Sequence, residues 1–210
     1  MPLHHIISHN PATSIYIWKI TESLEQLSQE VTLNERNQAR IQTMKSELHQ
    51  RGFLSVRKLL AIAGYSDFDL YYDQTGKPHL NDGRHISITH SHEFSAIVVS
   101  DANIGIDIEK QREKILIIGH KFTAEIEETY LDASHADYIR QLTIMWGTKE
   151  AIFKLRNEIG ISFKDHVWVL PFDITSGKAT AILDFNGMQT VFTVNFEEIE
   201  NFTLVYVTEG

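Results

Sequence analysis

Two carboxylates stand two residues apart in Asn103-Ile104-Gly105-Ile106-Asp107-Ile108-Glu109-Lys110. Isoleucines alternate with Gly105, Asp107 and Glu109, the period-two pattern of a strand with one buried face. Ile104, Ile106 and Ile108 are predicted on that face, with Gly105, Asp107 and Glu109 on the other, so the two acids lie about 7 Å apart along the backbone. Neighbouring anions repel unless positive charge sits between them. A hard divalent cation such as Mg2+ takes oxygen ligands of this kind. The plainer alternative is a half-exposed strand whose outer face is acidic.

A second cluster lies in Trp146-Gly147-Thr148-Lys149-Glu150-Ala151-Ile152-Phe153-Lys154. On a helix, Glu150 and Lys154 are i and i+4 and share a face. Taken singly they make a surface ion pair worth about 0.3–0.5 kcal/mol. Ile152 and Phe153 are expected to face elsewhere, with Trp146 near the core. The combination says more. Asp107, Glu109 and Glu150 supply three carboxylates for one metal, and Lys154 can hold a phosphate oxygen. Arg51, Lys77 and His90 are further cation candidates in the first half. Three acids with scattered cations suit a metal-bound pyrophosphate and do not suit zinc, which prefers nitrogen and sulfur ligands. The chain has no P-loop or dinucleotide fingerprint, no Gly-x-Ser-x-Gly elbow, and no His-Glu-x-x-His among its 11 histidines.

The elements that must position these residues read as follows. Ser14–Ile20 is a first strand. Glu22–Gln29 and Leu33–Thr43 are polar segments of helical spacing. Leu48–Ala63 is a helix, with Phe53, Val56, Leu60 and Ala63 at steps of three and four and Gly64 placed to end it. Arg51 and Lys58 share a face of that helix, seven residues apart. Asp73-Gln74-Thr75-Gly76-Lys77-Pro78 is turn chemistry around a lysine. His85–Ser91 and Ser95–Ser100 are strands, and in the first of them Ser87, Thr89 and Ser91 share a face. Beyond the acidic strand come helices over Ala124–Leu131 and Asp137–Leu155. Strands follow over Asp165–Leu170, Lys178–Asp184, Met188–Phe196 and Phe202–Val207, with Asn186-Gly187 as a hairpin turn.

Composition narrows the function classes. At 210 residues the chain is one large domain or two small ones. A hydrophobic fraction of 42% supports a core, and the absence of cysteine excludes disulfides and thiolate metal sites. A net charge of −9 argues against broad nucleic-acid binding. No apolar run approaches the roughly 18 residues of a membrane helix. Met1-Pro2-Leu3-His4-His5 lacks the features of a signal peptide, so the cytoplasm is expected, with no membrane and no nucleic-acid partner.

With these residues in view the sequence resembles the 4'-phosphopantetheinyl transferases of the larger, surfactin-synthetase-activating type. The matching motifs are Gly76-Lys77-Pro78, Ser87-Ile88-Thr89-His90-Ser91, Gly105-Ile106-Asp107-Ile108-Glu109 and Trp146-Gly147-Thr148-Lys149-Glu150-Ala151-Ile152-Phe153-Lys154. Each is weak alone; their order and spacing together are specific. The resemblance implies an α+β pseudo-dimer of two similar halves, residues 1–101 and 102–210, with the active site in the cleft between them and a monomeric chain. It implies transfer of the 4'-phosphopantetheine arm of coenzyme A to a serine of an apo acyl or peptidyl carrier protein, with Mg2+, releasing adenosine 3',5'-bisphosphate. By motif, Asp107, Glu109 and Glu150 would bind the metal, Lys154 would contact the pyrophosphate, and Glu150 would be the base. Lys77, Thr89 and His90 would contact the nucleotide end of coenzyme A. Arg51 would meet the 3'-phosphate, with Arg57 and Arg40 as competitors.

The sequence departs from the family pattern in three places. Gly147 stands where Ser or Thr is usual, and Thr89 replaces the serine before the motif histidine. The acidic motif usual between the halves is blurred in Lys121-Phe122-Thr123-Ala124-Glu125-Ile126-Glu127, where Glu125 and Glu127 both stay open. Two rival readings are a metal-dependent nuclease and an inactive protein that binds coenzyme A or carrier protein. The missing basic stripe counts against the first. The intact set of acids counts against the second, because unused clustered anions reduce stability. Which carrier is modified stays open.

Overall fold

The computed structural model describes residues 3–210; Met1 and Pro2, the start of the segment read for a targeting signal, lie outside the described residues. The chain divides into two compact units, the first ending at Ala102 and the second beginning at Asn103. Among the described residues no helix is long and apolar enough to cross a membrane.

The first unit runs β1 (Leu3–Asn10), β2 (Thr13–Lys19), α1 (Leu24–Glu30), α2 (Glu35–Thr43), α3 (Glu47–Ile62), β3 (Leu70–Tyr72), β4 (Pro78–Leu80), β5 (His85–Ser91) and β6 (Phe94–Ser100). Four strands form an antiparallel sheet in the order β1-β2-β6-β5, and β3 pairs with β4 in a separate hairpin. Helix α3 packs on β2, β5 and β6. Its expected stripe is buried at Phe53, Val56 and Leu60, and burial extends to Leu54 and Leu59 because α1 packs on it as well. Gly64, at φ 89°, ends it in the left-handed region. Strand β1 is unannounced in the sequence. It is an edge strand whose side chains are mostly exposed, so no apolar alternation marks it.

The second unit runs β7 (Ile104–Lys110), α4 (Lys114–Phe122), α5 (Glu125–Glu128), α6 (Tyr138–Arg156), α7 (Phe163–His166), β8 (Val167–Val169), β9 (Lys178–Phe185), β10 (Met188–Ile199) and β11 (Phe202–Glu209). The sheet order is β7-β11-β10-β9-β8, antiparallel throughout. Asn186 and Gly187 both have positive φ, 55° and 73°, as a two-residue hairpin turn of this hand requires. Three segments differ from the sequence reading. The helix expected over Ala124–Leu131 is the short α5. The strand expected over Asp165–Leu170 is one helical turn followed by β8. Helix α4 is absent from the sequence reading, since its run of isoleucines favours strand by propensity; tertiary packing of Ile115, Gly119 and Phe122 decides it.

The alternation in β7 is as expected, but both faces are covered. Ile104, Ile106 and Ile108 are each no more than 2% exposed, and Asp107 is only 4% exposed. A half-exposed acidic strand is therefore excluded. Helix α6 lies across β7 and β11, and its Ile144, Met145, Ile152 and Leu155 share a core with Val205 and Val207. Asp107 is paired in register with Val205, and Gly105 with Val207. The approach is closest at Gly105, where an added Cβ would stand 1.9 Å from the Ala151 carbonyl oxygen. That obstacle is backbone and cannot swing aside. Gly105→Ala should therefore force α6 away from β7 and destabilise the protein by about 3 kcal/mol, the upper end of the usual overpacking range. Urea unfolding of the variant against wild type measures it.

Candidate active site

Four of the residues singled out in the sequence meet where α6 crosses β7. The Lys154 ammonium donates to Asp107 Oδ1 at 2.7 Å and to the Ile106 carbonyl at 3.2 Å. The sequence pairs Lys154 with Glu150 one turn away, yet its ion pair runs to the strand instead. Asp107 is fixed and almost fully buried, whereas Lys154 keeps 28% of its side chain exposed and can reach it. Glu150 remains in electrostatic range of all three partners. Its carboxyl is pushed up to about 7, first by burial, then by the negative charges of Asp107 and Glu109, with Lys154 opposing. Glu109 Oε1 accepts a hydrogen bond from Trp146 Nε1 at 3.2 Å.

Among the described residues, no three Asp, Glu or His side chains already converge closely enough to hold one metal ion. The chemistry of the donors nonetheless fits a hard cation. They are carboxylates only, and Glu150 holds its proton to about pH 7 because it is buried and two further anions are near. Lys154 meanwhile supplies the positive charge that Asp107 faces.

Sequence reasoning missed Lys149. It is fully buried, and its ammonium donates to Glu127 Oε2 at 2.6 Å, Phe122 O at 2.7 Å and Phe163 O at 3.0 Å. Glu127, also fully buried, accepts from the backbone N–H groups of Ala124 and Val169, each at 2.8 Å. Five hydrogen bonds, one within the pair and four to backbone groups, thus tie the end of α4, the start of α5, α6, α7 and β8 together. Burial pulls the Lys149 ammonium below its usual range, against the pull of Glu127. Of the two acids left open in this segment, Glu125 is exposed and Glu127 is the buried partner of Lys149. One signal in the sequence could have found Lys149. Its helical neighbours at i−4 and i+3 are Met145 and Ile152, both in the core.

The cation candidates of the first unit occupy separate elements. Lys77 sits in the turn between β3 and β4, where Asp73 Oδ1 accepts its backbone N–H and that of Thr75, and Gly76 takes φ 87°. The Thr75 hydroxyl, donating at 2.6 Å, then His79 and these backbone donors, hold the Asp73 carboxyl well below the usual carboxylate range. Thr89 and His90 adjoin on β5, Thr89 buried and His90 exposed. The His90 ring rests on α3 at Gly52, where a Cβ would meet it at 3.1 Å. Arg51, the next residue, donates to the Ile20 carbonyl. Arg57, the competing phosphate candidate, is held inside the first unit. It is 5% exposed, paired with Asp67 at 2.8 Å, and stacked 3.5 Å from the Phe53 ring centroid. With Asn34 and Asn37 on the same Asp67 carboxylate, Arg57 fastens the start of α2 to α3. Arg40 is exposed and lies over the Phe53 and Tyr72 rings.

A comparison with curated proteins returns no match. The family model described as the 4'-phosphopantetheinyl transferase superfamily matches residues 103–207. That span takes in β7, α6 and every acid of the cluster. Half of the chain is matched, and over that half run both the Gly105–Glu109 and the Trp146–Lys154 motifs; the chain belongs to the 4'-phosphopantetheinyl transferase superfamily.

Proposed function

We propose that the protein is a transferase of the larger, surfactin-synthetase-activating type, moving the 4'-phosphopantetheine arm of coenzyme A to a serine of an apo carrier protein. The observation that carries this reading is the Glu150 carboxyl, poised at about 7 beside Asp107, Glu109 and Lys154. A general base works best with a pKa near the operating pH. The serine hydroxyl forms a bond to the β-phosphorus as the bond to the bridging oxygen breaks, and adenosine 3',5'-bisphosphate leaves. Glu150 takes the serine proton, directly or through water. Lys154 exchanges its contact with Asp107 for the pyrophosphate. Asp107, Glu109 and Glu150 would hold Mg2+, which when bound neutralises charge on the pyrophosphate and leaving group. Lys77, Thr89, His90 and Arg51 would hold the nucleotide end. The acidic balance of the chain disfavours the nuclease alternative.

Incubation with coenzyme A, Mg2+ and a panel of apo-carrier proteins, read by intact mass, tests the reading. At least one carrier should gain the phosphopantetheine mass, and cleavage of DNA with no carrier modified would overturn it. Arg51→Ala should reduce the preference for coenzyme A over dephospho-coenzyme A, measured as the ratio of kcat/KM values.

Glu150→Gln should bind coenzyme A, by calorimetry, yet transfer very slowly. Wild-type transfer rate should rise with pH through about 7 at low Mg2+, because the base acts deprotonated, and its midpoint should fall as Mg2+ is raised. Lys154→Ala should raise the barrier by about 2.7–4 kcal/mol, the scale of one well-placed donor. A change of only a few tenths would leave the lysine a purely structural role.

Stability supplies a check that needs no substrate. A raised carboxyl pKa means that the folded state binds more protons than the unfolded state between about 4.5 and about 7. Metal-free wild type should therefore lose stability relative to Glu150→Gln as pH rises through that window. The gap should level off near about 3 kcal/mol above it, at about 1.36 kcal/mol per unit. Denaturant unfolding of both proteins at pH 5 and pH 8 reads it out.

A further inference from the structure

We infer that Trp146 is a positioning residue whose indole N–H holds the Glu109 carboxylate toward Asp107 and Glu150; the inference rests on the metal assignment proposed above. Trp146 donates to Glu109 Oε1 across 3.2 Å, from α6 to the far end of β7. Its own ring is held edge-on to Phe122 and Phe163, with centroids at 5.1 and 5.5 Å. The donor is therefore anchored by packing on two other elements. The acceptor has more freedom. Glu109 is only half-buried and borders a cavity of about 170 Å³, whose wall also includes Trp146 and the cations Lys110, Arg112 and Lys114. Those cations share the cavity wall with Glu109. Glu109 stands two residues from Asp107 on one face of β7, and Trp146 and Glu150 are one turn apart on α6. A rigid neutral donor on α6, the helix that carries Glu150, keeps Glu109 at the acid cluster without neutralising it.

The test compares wild type, Trp146→Phe, Glu109→Ala and the double variant. Trp146→Phe keeps a ring between Phe122 and Phe163 and removes only the N–H. Benzothienylalanine at position 146 keeps the full indole shape without the N–H and serves if the phenylalanine variant folds poorly. Mg2+ is titrated calorimetrically into each protein saturated with coenzyme A, against a coenzyme A blank, and transfer is measured across Mg2+ concentration. Loss of the donor should weaken Mg2+ binding by about 10–100-fold, the usual effect of removing an outer partner of a metal ligand. Transfer should recover at high Mg2+. In the Glu109→Ala background the same change should add nothing. Unchanged Mg2+ affinity in Trp146→Phe, with weakened affinity in Glu109→Ala, overturns the positioning role and leaves the proposed function standing. Unchanged affinity in Glu109→Ala removes Glu109 from the metal set and overturns that assignment together with the positioning role.

Discussion

The backbone of one helix passes over the backbone of one strand at Gly105, and the chemistry of the second unit depends on that approach. Because α6 lies so low on β7, an acid on the strand and a lysine on the helix come within 2.7 Å. The same approach brings Glu150 under the influence of Asp107 and Glu109, neither of which is near it in sequence. A side chain at position 105 would lift the helix, and the electrostatic coupling would weaken with distance. Gly147 belongs to the same constraint: a Cβ there would meet Val205 at 2.9 Å, with Asp107 Oδ2 beyond at 3.7 Å. The departure from the family's hydroxyl residue at this position is thus consistent with a crowded contact on β11.

Height over the sheet does not by itself fix which way the helix faces. Helix α6 buries a broad face, on which Leu142, Ile144, Met145, Ala151, Ile152 and Leu155 all lie. A face that broad sets the rotation of the helix about its axis only loosely. Two charged contacts remove that freedom. Lys149 is directed into the layer of α4, α5 and α7, and Lys154 into β7. The Lys149–Glu127 pair is no simple source of stability, because burying two charges carries a desolvation penalty that can exceed their attraction. Its hydrogen bonds satisfy both groups, and loss of either partner leaves a buried charge. That asymmetry makes it a device for orientation. Glu150 follows Lys149 directly, so the same rotation that seats the lysine aims the carboxylate.

Much of this was legible in the sequence, and the illegible part has physical causes. The alternation of β7, the long helix α6 and the Asn186-Gly187 turn are local patterns, and each stands where the residues place it. The acid set is legible because its members sit in two short motifs. The partner of Lys154 is not, since i+4 spacing reports only neighbours on the same helix, whereas Asp107 arrives through tertiary packing. The burial of Arg57 is illegible for a similar reason: a cation in an amphipathic pattern does not announce a buried Asp67 ten residues later. Strand β1 and helix α4 lack a periodic signal because one lies at an edge and the other runs against its own propensity.

The acid cluster also explains why α6 is held from both sides. Three carboxylates and one ammonium leave the site with excess negative charge, and Glu150, buried beside Asp107 and Glu109, retains its proton at a pH where an exposed glutamate would not. Letting the helix rise would separate the charges. Packing of Ile144, Met145, Ile152 and Leu155 against Val205 and Val207, with the Lys149 anchor behind, closes that route. The repulsion is then relieved by binding: a proton on Glu150 at low pH, or a cation among the acids. A fold that permitted the helix to retreat would have no such preference for added positive charge, which is why the buried lysine and the absent side chain at Gly105 belong to the chemistry as much as the carboxylates do.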